Sequence, residues 1–164
     1  NSSDPFGLKV CFNGSRADIQ IQKMGTEEAT NTNITLGDDN CVQSYDARAG
    51  KGYEELQDRF GTEVSSSNTY NVRFGARGER YFSGWDPSKM TAVIVRSDVG
   101  GFSYQTGSGA ASCALRPGVA SATLGSLIAH ELLGHGLYNG SEISARRIEN
   151  LYHAARGEQR RCDD

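Results

Sequence analysis

An apolar run, Leu124, Leu127 and Ile128, leads straight into His130-Glu131-Leu132-Leu133-Gly134-His135, and no other stretch restricts the fold as strongly. Burying two imidazoles and a carboxylate is costly unless each finds a partner, so the chain must bring partners to this segment. The nearest mechanistic template is H-E-x-x-H on a helix, whose histidines bind zinc and whose glutamate is a general base. Here the histidines are five apart rather than four. A regular helix turns about 100° per residue, so an i,i+4 pair diverges by ~40° and an i,i+5 pair by ~140°. The two rings can share one metal only if the helix carries an extra residue, as in a π-type widening. Leu133-Gly134 is the expected place, because glycine tolerates distortion at least cost.

The residues that follow supply further ligands. Asn139-Gly140 signals a turn, Ser141 suits a helix N-cap, and Gly157 suits a stop, which predicts a second helix from Glu142 to about Arg156. So tight a turn brings the start of that helix near His135. A catalytic zinc needs three protein ligands and one open position. The expected set is His130, His135 and Glu142 as Zn2+ ligands and Glu131 as general base. Glu149, seven residues beyond Glu142 on the same helix face, is the alternative ligand, or else a carboxylate that hydrogen-bonds a ligand imidazole. Each carboxylate also has a plainer explanation: Glu142 favours its helix dipole, and Glu149 can pair with an arginine. His153, Tyr138 and Tyr152 are further candidates for a cleft-facing donor, and the sequence does not choose among them.

The string His130-Glu-Leu-Leu-Gly-His135 is the one that marks the zinc helix of the dipeptidyl-peptidase III family, and that similarity ends with the helix. A wider pattern runs from His130 through Glu142-x-x-Ala145-x-x-x-Glu149-Asn150 to Arg156-Gly157 and Arg160. It resembles the zincin-type metallopeptidase domains at the C-termini of bacterial Rhs (YD-repeat) polymorphic toxins. Asp4-Pro5-Phe6-Gly7-Leu8 is similar to the DPxGL motif that closes an Rhs core. The resemblance implies residues 1–8 as a leader and 9–164 as a single effector domain. It also implies a peptide bond as substrate, a cognate immunity protein as partner, and secretion or delivery into a target cell.

At 164 residues the chain suits one domain with its own core. Its net charge of −3 offers no general attraction for nucleic acid, and the C-terminal arginines alternate with Glu142, Glu149 and Glu158. No stretch approaches the ~20 apolar residues of a membrane span. Cys11, Cys41, Cys113 and Cys162 are too far apart for a compact metal knuckle; they allow two disulfides in any of about three pairings, which would suit an oxidising compartment. A monomer is expected.

Val10, Phe12 and the alternation Ala17–Gln22 about Asn13-Gly14 predict a β-hairpin. Residues 24–47 read as a loop with a short strand near Asn33–Leu36, and Gly52–Phe60 as a short amphipathic helix stopped by Gly61. Thr69–Phe74 and Arg80–Phe82 read as strands, with Trp85-Asp86-Pro87 breaking the run. The β-branched Thr91–Arg96 reads as the central strand, and the Gly/Ser-rich 98–118 as a cleft-lining loop. The expected fold is α+β and zincin-like, a small twisted, mostly antiparallel sheet packed on the active-site helix and the helix after it. Two other classes compete: a nuclease toxin, supported only by the basic C-terminal segment, and a non-catalytic module with zinc as a staple. An intact Glu131 counts against the second, since a structural site needs no base.

Overall fold

Val10, Cys11 and Phe12 form the buried centre of β1 (Lys9–Asn13), the run expected of a strand covered on both faces. The computed structural model describes residues 9–80, 82–99, 103–105, 119–158 and 160. The Asp4–Leu8 leader, Cys113, Cys162 and most of 98–118 lie outside them. Cys11 forms a disulfide with Cys41, 30 residues along the chain.

The expected hairpin is absent, because its second strand is instead the start of α1 (Arg16–Thr30). Ser15 and Asp18 form a reciprocal capping box at its N-terminus, which satisfies two otherwise unpaired backbone donors. Ile19, Gln22, Thr26 and Ala29 are buried, a helical spacing that outweighs the brief alternation, and Ile21 is left exposed. Gln22 also closes the end of β1, donating to Asn13 O at 2.8 Å and accepting from Asn13 N at 3.0 Å. The supposed loop holds the rest of α1 and an antiparallel pair, β2 (Thr32–Leu36) and β3 (Val42–Ala47). Helix α2 (Glu54–Val64) runs past Gly61, which does not adopt the left-handed conformation that ends helices.

The main sheet has the order β1-β4-β6-β5, with β4 at Thr69–Phe74, β5 at Gly84–Asp86 and β6 at Thr91–Ile94. Strand β6 is internal and wholly buried, as its composition predicts. The pairs β1–β4 and β4–β6 are parallel, and only β5 runs antiparallel at the edge. This sheet is therefore mostly parallel rather than mostly antiparallel. The reason is α1: a helix after β1, followed by β2, β3 and α2, provides the long crossover that parallel neighbours require. Trp85 and Asp86 do not break the run but pair with Ala92 and Thr91, whereas Arg80 and Phe82 lie outside any strand. A short antiparallel pair, β7 (Ser103–Gln105) and β8 (Val119–Ser121), brackets the Gly/Ser-rich stretch.

The chain is thus mixed α+β. Thr123, as N-cap, starts α3 (Leu124–Ile128), and Ser141 starts α4 (Glu142–Ala155). Between them runs the His130–His135 segment, packed on α4, α2 and strands β4, β5 and β6. Leu127, Ile128, Leu132 and Leu133 enter the same core as Phe12, Phe60 and Ile94. Among the described residues no helix is long and apolar enough to cross a membrane.

Candidate metal centre

Residues Ala129–Gly136 are wound as a π-helix, the widening that the five-residue spacing demands. The rings of His130 and His135 consequently lie on one side, their centroids 5.0 Å apart. Gly134 serves a different purpose from the one expected. Its backbone is not in the left-handed region, but a Cβ there would stand 2.7 Å from Ala145 Cα and 2.9 Å from Ala145 Cβ. Glycine is required because α4 approaches the π-helix so closely. Arg59 of α2 donates from Nε to Leu133 O at 3.2 Å, bracing the opposite side.

A tight turn then reverses the chain through Leu137–Asn139, with Tyr138 and Asn139 both left-handed at φ 61° and 50°. Gly140 N donates to His135 O at 3.1 Å, and the Gly140 carbonyl lies 2.8 Å from His135 Nδ1, where it accepts that proton. With Nδ1 engaged, His135 presents Nε2 to the cleft. Ser141 caps α4 by accepting from Ser144 N at 3.2 Å, and Glu142 falls in the first turn. Its Oε1 lies 3.0 Å from His130 Nε2 and 2.9 Å from His135 Nε2. Its Oε2 accepts from Arg146 Nε at 3.1 Å.

Glu142 Oε1 thus lies between the two imidazoles. Donor atoms bound tetrahedrally at the usual ~2.0–2.1 Å lie about 3.3 Å apart, near the separation of Glu142 Oε1 from each ring nitrogen. The ligand atoms of His130, Glu131 and His135 also lie within 4.8 Å of one another, a group that could hold a metal ion. Glu131 Oε1 is 4.0 Å from His135 Nε2, and Glu142 is nearer to both rings, so Glu142 fits the third ligand position and Glu131 stands beside it.

The protonation behaviour follows from this crowding. Burial alone would lower His130, but its bonds to Glu142 and Glu149 outweigh that and push it up to about 9. Glu142, hydrogen-bonded to His130, is held down at about 2 against a smaller opposing effect of burial. Burial raises Glu131, and the two imidazoles only partly offset this. A raised carboxyl next to a cation site is suited to taking up and returning a proton.

Behind His130 the polar contacts continue. Its Nδ1 is 2.8 Å from Glu149 Oε1, on the ring edge away from Nε2 and Glu142. Glu149 Oε2 lies 3.0 Å from His153 Nε2, and His153 Nδ1 lies 3.0 Å from Glu158 Oε1. His153 thus faces away from the cleft. Tyr152 is buried too, bonded to Glu28 and, at 3.1 Å, to Thr123 Oγ1, while Tyr138 lines a separate groove beside α2. Neither tyrosine lines the cleft onto which His130, His135 and Glu142 face. Glu158 is the member that the sequence reading missed. The signal for it was the Glu149/His153 i,i+4 pair followed by an acidic residue directly after the Gly157 stop.

The ligands open into a cleft of about 760 Å³ whose far wall comes from Arg80, Phe82, Ser83 and β5, with Trp85 on that strand. Asp98 fixes this wall by accepting from Ser83 N and Ser83 Oγ, each at 2.7 Å. No protein-family model, curated protein or solved structure matches the chain.

Proposed function

We propose that the chain is a zinc-dependent peptidase with a zincin-like arrangement, acting as a secreted or delivered effector domain. The observation that carries this reading is the convergence of His130 Nε2 and His135 Nε2 on Glu142 Oε1 within 3.0 Å, at the mouth of a cleft, with Glu131 beside them. Two imidazoles and one carboxylate form a donor set suited to zinc, whereas magnesium and calcium favour oxygen-rich shells. That preference also speaks against the nuclease alternative. A bound zinc ion would supply Lewis acidity, acidifying water and polarising a carbonyl. Glu131 would accept the proton of the attacking water and pass it to the leaving amine. Gly140 O and Glu149 would hold the two rings in the orientation that keeps Nε2 free for the metal.

Support for the zincin-like comparison comes from β5, a short antiparallel edge strand packed against the π-helix and forming one cleft wall. The Cys11–Cys41 disulfide suits an oxidising compartment. A protein or peptide substrate, and an immunity protein as partner, follow from the resemblance to Rhs-linked toxins.

The test combines metal analysis with proteolysis. Purified chain offered zinc should retain about one ion per molecule, as a three-ligand site requires, and His130→Ala or His135→Ala should lose it. Glu131→Gln should keep the ion and lose hydrolysis of a mixed peptide library. A wild-type chain that takes up no zinc ends the metalloenzyme reading, and loss of zinc in Glu131→Gln would move Glu131 from base to ligand.

A further inference from the structure

The hydrogen-bonded series behind the ligands does not end at Glu149. We infer that His153 is a positioning residue for the metal site, acting through Glu149 on His130, and that Glu158 holds His153 in place. This inference rests on the metal-binding reading above. The observations are geometric. His153 is 1% exposed and Glu149 is 0% exposed, so neither can turn to water for a replacement partner. Each Glu149 oxygen faces one imidazole, His130 Nδ1 at 2.8 Å and His153 Nε2 at 3.0 Å.

Helix α4 makes the inner half of this arrangement, because residues four apart stand on one face. The turn after it makes the outer half. Gly157, at φ 70°, lets the chain fold back so that Glu158 N donates to His153 O at 2.8 Å. The Glu158 carboxylate then lies 3.0 Å from His153 Nδ1, with Arg156 Nε 3.0 Å from its other oxygen. Both ring nitrogens of His153 therefore face carboxylates, and its orientation is fixed from both ends.

The consequence reaches the metal through the plane of Glu149. With both oxygens engaged, the carboxylate cannot rotate, and the proton it accepts stays on His130 Nδ1. That leaves His130 Nε2 on the side of Glu142 and the ion position, where without metal it donates to the Glu142 carboxylate at 3.0 Å and, once deprotonated, would be free to ligate. Without His153, one buried oxygen of Glu149 loses this partner, and the carboxylate holds the His130 ring less firmly. Removal of such outer partners weakens metal affinity by about 10–100-fold.

The experiment measures zinc affinity of the full chain by competition with a chromogenic chelator, for wild type, His153→Gln, His153→Phe and Glu158→Gln. Glutamine keeps an N–H that can donate to Glu149 but loses the ring; phenylalanine keeps a ring but has no donor. The inference expects affinity to fall in the order wild type, His153→Gln, His153→Phe, with the last weakened about tenfold or more. A purely packing role expects the reverse order for the two variants, which would overturn the inference. Glu158, a third exposed on its side chain, keeps the test open if His153→Phe does not fold: Glu158→Gln should weaken zinc severalfold, and unchanged affinity there would also overturn it. Wild type that binds zinc while every variant equals it sinks this inference alone. Wild type that binds none sinks the metal reading, and this inference with it.

Discussion

Two carboxylates flank the π-helix on opposite sides, Glu149 towards α4 and Glu63 towards α2, and both are fully buried. Glu149 has an imidazole against each oxygen. Among the described residues neither oxygen of Glu63 has a hydrogen-bond partner. Its neighbours are the Gly136 backbone, where a Cβ would lie 3.1 Å from Glu63 Oε2, and, against that same point, the Trp85 ring. Burial pushes the Glu63 carboxyl well above the usual range, and the nearby Arg59 charge offsets this only in part. The difference teaches how a polar segment survives in an apolar core: on one side the buried carboxylate is matched by two imidazoles, and on the other burial shifts the unmatched acid towards its neutral form.

The sharpest way to break the comparison is Glu149→Ala. It leaves His130 and His153 buried beside an empty place, and removing one partner of a buried pair costs about 3–5 kcal/mol. Urea unfolding of the metal-free protein at neutral pH should show this loss, and a change below about 1 kcal/mol would mean that the pairing contributes little to the fold. Next in size is Gly134→Val, which forces side-chain atoms against Ala145 of α4. Overpacking of this kind costs about 1–3 kcal/mol, and weaker zinc binding should accompany the lowered midpoint. If the variant keeps both stability and zinc, the close approach of α4 is not what requires glycine.

The Glu63 side should respond in the opposite direction. Its folded-state pKa is raised, so between the ordinary glutamate pKa and that raised value the folded chain holds a proton that the unfolded chain has released. Stability then falls as pH rises through this window, by up to about 1.4 kcal/mol per pH unit. Glu63→Met should remove that slope and, by eliminating an unpartnered buried polar group, stabilise the chain by about 1–2 kcal/mol at pH 7. A Glu63→Met protein less stable than wild type across pH 4–8 would reveal a partner for the carboxyl. The smallest effect belongs to a third carboxylate. Glu55 on α2 pairs with Arg147 on α4 at 2.6 Å, and both are largely exposed, so Arg147→Ala should cost under about 1 kcal/mol and less at high salt.

The candidate site was legible because its residues are local in the chain. His130, Glu131, His135 and Glu142 lie within thirteen consecutive positions joined by one turn, and the five-residue spacing by itself called for the π-helix. The sheet was less legible. A short alternation at Ala17–Gln22 concealed a helix whose Ser15/Asp18 cap was the better signal, and the error carried into strand direction, because a hairpin and a crossover lead to different sheets. The cleft wall formed by Arg80, Phe82, Ser83 and Trp85 was not readable either. It depends on pairing of β5 with β6 and on the contact of Asp98 with Ser83, relations between distant residues that no local pattern encodes. Glu63 was missed for a different reason: the helix was expected to stop at Gly61, and only its continuation puts Glu63 on the buried face already marked by Leu56 and Phe60.

The turn that positions His135 also bears on how long the protein lasts. Asn139-Gly140 is a dipeptide prone to deamidation, because in a flexible chain the glycine nitrogen attacks the asparagine amide and the backbone rearranges to include an extra methylene. Here that nitrogen is tied to His135 O, and Asn139 is fixed in a left-handed conformation, so the fold itself slows the ageing reaction. The carbonyl that orients His135 belongs to the same Gly140. Any loosening of the turn would therefore start a chemical clock whose first casualty is the geometry of that histidine, and stored protein should lose zinc in step with the appearance of isoaspartate at Asn139.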